Sequence, residues 1–479
     1  MKRKNKSFII FLTLLFVLSI ASSAFAGGPK GKPDKSDNLK VYDSTIDFKH
    51  FAFELNEDNG MKSWSEDVND ITNTTFNTKV IENKYIKVTL LPEYGGRIIS
   101  MIDKSTGHDL LYQNPVGTPY GMGAGNFYYD WLMVYGGIFP TFPEPEHGKT
   151  WMLPWDAKVV EQTSEKISVE MSFTDDIDFS DKPWNFDNGK TGITAVNTIT
   201  VYKDKSYLEM NMKLINNKNE PVKYEYWTCT TFAPGGNPSD MKMAVPIEEV
   251  MVKDDWWSWM GTVDEPVDKE NHIYKYDKLS MFSNWKDMGI AYGQEVKEKW
   301  WGVINTDNNE GVVRIADNAN ATPGLKFWTW GYEDSYNTDP LEFGNSARPY
   351  IELWGGHSSE FFEDTYLEPN ETKEWTEYYF PTKGLEDITS ANENASAYLE
   401  YEKGEIVARF NVTDPKQPVR ATIYKKTGQK STKVTEKVFS GKHVNNSVLS
   451  KKIADGSANY ELVLSTPSGK EILRAEINN

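Results

Sequence analysis

Glu352 lies in YIELWGG (350–356), between Ile351 and Leu353. On a strand, side chains alternate, so its carboxylate points away from both apolar neighbours. Aromatic surroundings hydrate a carboxylate poorly and raise its proton affinity, which makes Glu352 a candidate base. The Gly355-Gly356 pair beside it predicts room for a ligand. His147 sits in PEPEHGKTW (143–151), where turn-favouring residues precede it and Gly148 follows. A loop histidine with Glu144 and Glu146 nearby has the makings of a tuned acid–base group, its plainer alternative being a surface histidine. His357 is close to Glu352 in sequence and is a second candidate. Arg97 follows two glycines in GGRI, a turn from which a guanidinium can present a fork of donors to hydroxyls or a carboxylate, or form a structural ion pair. Lys326 stands between Leu325 and Phe327, just before Trp328 and Trp330. A cation among aromatics either stacks structurally or binds a sugar oxygen.

The chain is rich in large rings, with 16 Trp and 25 Tyr in 479 residues. They cluster at Trp256, Trp257 and Trp259, at Trp300 and Trp301, and at Phe327, Trp328 and Trp330. The apolar C–H faces of sugars stack on flat aromatic surfaces, and an indole adds an N–H donor. A large β-protein core accounts for part of this set. A run such as DDWWSWM (254–260) cannot bury every ring on one strand face, because neighbours alternate sides. A groove lined by Trp257, Trp328, Trp330 and Arg97 is therefore expected.

The elements that must position these residues are strands. Ile86, Val88 and Leu90 alternate with polar residues. So do Ile167, Val169, Met171 and Phe173, and again Leu208, Met210, Met212 and Leu214. Each is a period-2 stripe with one buried face. Turn clusters separate them, such as Tyr94-Gly95-Gly96 and Asn216-Asn217-Lys218-Asn219. Many strands without strand–helix alternation predict an all-β, antiparallel sandwich over 39–384. Beyond residue 385 tryptophan disappears and Ser, Ala, Lys and Thr increase. The stripes there fit roughly seven short strands of an immunoglobulin-like accessory sandwich, 385–479.

The N-terminus reads as a signal peptide (1–26): a basic stretch, an apolar run from Phe8 to Ile20, and Ala24-Phe25-Ala26. The apolar run is shorter than the ~20 residues a membrane span needs. GGPKGKPDKSDN (27–38) reads as a flexible linker. A secreted, extracellular protein with no membrane span is the expectation, possible attachment to a cell wall included. The formal charge of −18 argues against nucleic acid as a partner and mildly against acidic polysaccharides. Carbohydrate is the expected ligand and a monomer the expected state. Cys229 is the only cysteine, so no internal disulfide can form and stability must come from the core. No G-x-S-x-G elbow, P-loop, G-x-G-x-x-G or H-E-x-x-H motif is present, and six scattered histidines with one cysteine argue against zinc. No cofactor is expected. The acidic loops DDIDFSD (175–181) and TDNNEG (306–311) offer oxygen ligands for Ca2+ but lack EF-hand spacing, and solvated acidic turns are the better reading.

Residues 81–114 (IENKYIKVTLLPEYGGRIISMIDKSTGHDLLYQN) resemble the opening of galactose mutarotase-like (aldose 1-epimerase-like) domains. There a strand leads to a Gly-Gly-Arg turn, a second strand and a polar hairpin. In the same order, YGGIFPTFPEPEHG (135–148), YEYWTCTTFAPGG (224–236), PGLKFWTWG (323–331) and YIELWGG (350–356) support the resemblance. It is closest to a mutarotase-like domain often fused to tetratricopeptide repeats, and it covers roughly residues 40–382. It implies a large antiparallel sandwich with a pocket on its concave face. It also implies that Glu352 takes the place of the family's general base. Trp227 takes the place of the histidine that serves as general acid, and an indole cannot donate a proton in that role. His147 is the expected replacement. The combined expectation is an enzyme acting on a poly- or oligosaccharide by lyase, hydrolase or epimerase chemistry, Glu352 and His147 being catalytic. Arg97, Lys326, Trp227, Trp257, Trp328, Trp330 and His357 would bind substrate. A non-catalytic carbohydrate-binding module is the alternative.

Overall fold

The structure, a computed structural model, describes residues 39–478 except 52, 56–60, 65–68, 115, 118–135, 145–147, 152, 178–188, 253–259, 261, 288, 333–349, 441–445 and 454–455. The leader and linker, His147 and Trp257 lie outside the described residues.

The period-2 stripes become strands. Leu208, Met210, Met212 and Leu214 are buried along Leu208–Ile215 and alternate with half-buried Glu209, Asn211 and Lys213. This strand belongs to an eight-stranded sheet with Thr194–Tyr202 on one side and Thr372–Lys383 on the other. A thirteen-stranded sheet packs against it. The middle of the larger sheet runs in the spatial order Gly289–Gly293, Gly324–Thr329, Ile351–Gly356, Trp227–Phe232, Ile138–Thr141, Arg97–Asp103. The pairings are antiparallel apart from a two-residue parallel register, Lys49 and His50 with Val116 and Gly117.

Three of these central strands, Trp227–Phe232, Gly324–Thr329 and Ile351–Gly356, are buried along their whole length. One face sends Phe232, Leu325, Phe327, Ile351 and Leu353 into the core between the sheets. The other sends Trp227, Cys229 and Trp354 into a second aromatic cluster on the far side. A sheet covered on both faces needs no polar side, so the simple alternation seen elsewhere is lost here.

Beneath these strands lies a buried ionic group. Arg314 Nε donates to Glu377 Oε2, and Thr228 Oγ1 and Trp375 Nε1 donate to Oε1 at 2.8 and 3.0 Å. Tyr379 Oη donates to Oε2 at 2.7 Å. The Arg314 guanidinium also stacks on Trp301, 4.0 Å from the ring centre. Burial opposes the Glu377 charge, but Arg314 and these donors outweigh it and hold the carboxyl below its ordinary range. Thr228 belongs to the larger sheet and Glu377 to the smaller, so the group ties the two layers.

Residues 390–477 form two four-stranded sheets. Ignoring the short Ser390–Asn392 strand, the seven remaining strands are arranged 1-2-5 and 4-3-6-7, an immunoglobulin-like sandwich. It packs on the outer face of the eight-stranded sheet through Tyr207, Trp300, Ile315, Phe380, Leu385 and Ile388. Asn411 Nδ2 donates to Thr382 Oγ1 and to the Lys383 carbonyl, and the Ser206 amide donates to the Thr413 carbonyl.

Candidate functional site

The candidate residues gather on the face of the larger sheet that is turned away from the core between the sheets. Glu352 faces Thr231 on one neighbouring strand and Trp328 on the other. Two residues on, Trp354 projects from the same side, and its Nε1 donates to Glu352 Oε2 at 2.8 Å. Trp354 is registered against Lys326. Lys326 and Glu352 are thus diagonal neighbours across one strand pair, with Cβ atoms about 7 Å apart. The Lys326 ammonium lies 4.1 Å from the Trp354 ring centre and 4.4 Å from that of Phe361. Glu352 is 7% exposed and Lys326 3%. At this depth little water screens either side chain.

Aromatic walls surround the pair. Trp227, fully buried, meets Phe361 edge to face at 5.0 Å and Tyr292 at 6.3 Å. Phe361 also meets Trp354, at 5.4 Å. At the other end of the Lys326 strand, Trp328 and Trp330 stand edge to face at 4.8 Å. Trp330 Nε1 donates to Tyr350 Oη at 2.9 Å, and Tyr350 stacks on Tyr112 at 4.2 Å. Cys229 lies at the floor, its thiol pushed well up by burial and by Glu352, with Lys326 and Arg97 opposing. The structure therefore brings Glu352, Lys326, Trp227 and Trp328 to one face, with Trp330 on the strand end beside them.

Three expectations need correction. Arg97 does not present its fork to a ligand. It is fully buried, and Nε, Nη1 and Nη2 donate to the carbonyls of Tyr94, Gly136 and Trp151 at 2.7, 2.8 and 2.6 Å. Its plane stacks between Tyr94 and Phe139 at 4.4 and 4.1 Å. Gly95 before it holds φ +76, and a Cβ there would run into the Trp151 carbonyl, so the turn exists to pack this clamp. His357 is on the opposite face of its strand from Glu352. It packs between Tyr226 and Trp375 at 5.0 and 4.5 Å, with Tyr224 Oη 3.0 Å from Nδ1. Burial, then Lys373, hold its pKa well below the ordinary value, so the ring stays neutral in the core. Finally, the Gly355-Gly356 pair leaves no room for a ligand. A Cβ on Gly355 would lie 2.6 Å from Arg314 Nη2, and one on Gly356 would overlap the Trp227 ring.

The acidic loops also have local work. Asp175 pairs with Lys149 at 2.8 Å and accepts from the Thr191 amide and hydroxyl, while Asp307 accepts from the Asn237 amide at 2.9 Å. Of the four described histidines, His50 bonds to Thr72 and Thr74, His108 pairs with Glu310, His272 occupies a left-handed turn position at φ 53, and His357 is in the core.

Sequence reasoning missed Trp354, Phe361, Tyr292 and Glu225. Trp354 was readable as the same-face neighbour of Glu352 two residues on. Phe361 comes from a loop, where no period signals burial. Glu225 is 5% exposed just before the Trp227 strand. Burial drives its carboxyl up to about 7, with the Phe362 amide, the Trp227 indole and Lys223 pulling down and Asp364 adding to the rise.

A model of the family described as domain of unknown function DUF5107 matches residues 56–382. The chain belongs to this family. The DUF5107 domain thus coincides with the large sandwich, and Glu352, Lys326 and Trp227 all fall inside it. A TPR-domain containing protein from Parabacteroides distasonis has the same fold, with a TM-score of 0.58 at 19% identity over 74% of this chain. The chain spans 57% of that protein's length. A galactose mutarotase related enzyme from Lactobacillus acidophilus is similar at TM-score 0.42 and 14% identity, over 64% of this chain and 97% of the other. A galactose mutarotase-like protein from Clostridium acetobutylicum is similar at TM-score 0.42 and 13% identity, over 64% and 96%. The first of these likenesses shows the fold alone.

Proposed function

We propose that the concave face of the DUF5107 domain binds a carbohydrate outside the cell and that Glu352 acts there as a base. One observation carries the reading: a carboxylate and an ammonium, Glu352 and Lys326, lie side by side on a single sheet face walled by Trp227, Trp354 and Trp328. Indole rings suit the C–H faces of a pyranose, while the charged pair addresses its hydroxyls.

The pair suits proton abstraction better than two-carboxylate hydrolysis. A base beside a cation can remove a proton next to a carbonyl or carboxylate while the cation steadies the developing negative charge, as epimerisation and elimination both require. Hydrolysis needs two carboxyls about 5–10 Å apart. Glu225 is the described carboxyl with a raised pKa on this side. It precedes the Trp227–Phe232 strand and accepts from the Phe362 amide, whereas Glu352 accepts from the Trp354 indole. His147 remains the proposed acid partner. The indole of Trp227, at the position given to the acid, cannot serve as one.

A glycan array probed with the full chain, followed by product analysis on whatever binds, tests this reading. Products from the wild type and none from Glu352→Gln support an enzyme. Binding without products by either form makes the concave face a carbohydrate-binding module. Absence of binding to any glycan refutes the ligand class.

A further inference from the structure

Residues 357–364 connect the Glu352 strand to the Thr365–Leu367 strand. Phe361 from this segment is 7% exposed, while Phe362 beside it is 46% exposed and holds φ +67. A left-handed conformation is unfavourable for a bulky aromatic and persists only where its surroundings impose it. The contacts of Phe361 and of the Phe362 amide impose it here. The Phe361 ring sits among Trp227, Trp354 and Tyr292 and over the Lys326 ammonium. The Phe361 amide donates to Tyr292 Oη at 3.3 Å, and the Phe362 amide donates to Glu225 Oε2 at 3.0 Å. Within the segment, the Ser359 amide donates to Glu363 and Ser358 Oγ donates to the Glu360 carbonyl. Phe361 therefore fills, from the same chain, a place of the size and chemistry that a stacked ring over Lys326 would take.

We propose that residues 358–364 are a lid: Phe361 occupies the seat over Lys326 when the lid is closed, the Phe362 amide latches it to Glu225, and the lid opens as Glu225 becomes charged. A ring ligand and Phe361 then compete for one place, and the ligand gains it by displacing the lid.

The direction of the pH effect follows from the groups around Glu225. Asp364, at the end of the lid, pairs with Lys223 at 3.1 Å, so the two charges nearest Glu225 largely offset one another. The Phe362 amide and the Trp227 indole favour the carboxylate. On the remaining side the Pro143 carbonyl accepts the Glu225 amide, and the next residue, Glu144, is itself a buried carboxyl. Burial prevails and holds the carboxyl at about 7 in the closed form. In water a glutamate ionises near 4.3. The closed state thus binds the Glu225 proton more tightly than the open state does. Closure is favoured below about pH 7, and opening grows as pH rises through it.

Cys229 supplies the readout, being the only thiol in the chain and buried in the same aromatic cluster as Phe361. The full chain is alkylated with N-ethylmaleimide between pH 6 and 8.5, and each rate is divided by that of a small thiol at the same pH. The normalised rate is expected to rise at least tenfold across this range. Phe361→Ala should show the high-pH rate already at pH 6, and Glu225→Gln should keep the low rate throughout. Amide exchange of peptides covering 358–364 in the wild type, corrected for intrinsic rates, should lose protection over the same pH step. The wild-type measurement needs no variant to fold. Protection of 358–364 that is equal at pH 6 and 8.5 overturns the lid. So does a Phe361→Ala protein with a native near-ultraviolet dichroism spectrum and the wild-type alkylation rate. Both readouts report access to the seat and not turnover, so their outcome is separate from the ligand class.

Discussion

Replacing Arg314 by Met should destabilise the large sandwich severely, because it strands Glu377. The carboxylate has four donors, from Arg314, Thr228, Trp375 and Tyr379, and no exposure to water. Removing one member of a buried ion pair typically costs about 3–5 kcal/mol, most of it the penalty of the uncompensated partner. Three neutral donors remain around Glu377, which places the expected loss near the lower end, about 3 kcal/mol. Arg314→Met also takes the guanidinium away from Gly355 and from the Trp301 face, so the Glu352 strand loses support from below. The double variant Arg314→Met, Glu377→Gln removes both charges at similar size and should recover at least about 1 kcal/mol of the loss, since no charge is then left unpaired. Urea unfolding followed by near-ultraviolet dichroism measures all three. A single variant that costs under about 1 kcal/mol, or a double variant less stable than Arg314→Met alone, would refute the reasoning that the pair acts as a mutually compensating tie between the sheets.

Other outcomes follow from the same packing. Gly356→Ala puts a methyl group into the Trp227 ring and should cost about 1–3 kcal/mol, read from the urea midpoint. The stability contributed by Glu225 has a defined sign. Its carboxyl is raised to about 7 in the fold, so this contribution is complete below the unfolded value and is lost as pH rises from about 4.5 to about 7. The loss is up to about 3 kcal/mol at 1.36 kcal/mol per unit; the slope of Tm against pH should flatten in Glu225→Gln, and an unchanged slope would count against it. Trp354→Phe removes the N–H donated to Glu352 and keeps most of the ring, so it should raise the pKa seen in any pH–rate profile, while a profile that stays in place would separate Glu352 from the rate. A chain ending at residue 384 uncovers Tyr207, Trp300 and Phe380 on the outer face of the smaller sheet and should aggregate at concentrations where the full chain remains clear, as light scattering will show.

Much of the sandwich was legible because one-sided strands write their burial as alternation. Leu208 to Leu214 is such a case, and the turn at Gly95-Gly96 was marked by its glycines. The site was legible only in part. Glu352 and Lys326 stood out as charges flanked by apolar residues, and a strand buried on both faces makes that pattern informative. Arg97 carried the same signal for a different reason. A guanidinium among glycines can clamp carbonyls as readily as a ligand, and sequence does not say which carbonyls come near. His357 continued the Glu352 strand but fell on its inner face, five residues being an odd number of alternations. The double glycine after Glu352 was a close-approach signal whose visitors, Arg314 and Trp227, come from distant segments. Phe361 and Glu225 gave no signal, because one is placed by a loop and the other acquires its high pKa only from burial in the folded chain.

The most direct measurement is calorimetric titration of the wild type, Lys326→Met and Glu352→Gln with the best glycan from the array, run beside a product assay on the same samples. Glu352→Gln should bind within a few-fold of wild type and lose turnover by ~10²-fold or more. Lys326→Met should weaken binding by about tenfold, as expected when a buried charged hydrogen bond is lost. Wild-type affinity in Lys326→Met together with full turnover in Glu352→Gln would place the ligand and its chemistry elsewhere than on the concave face.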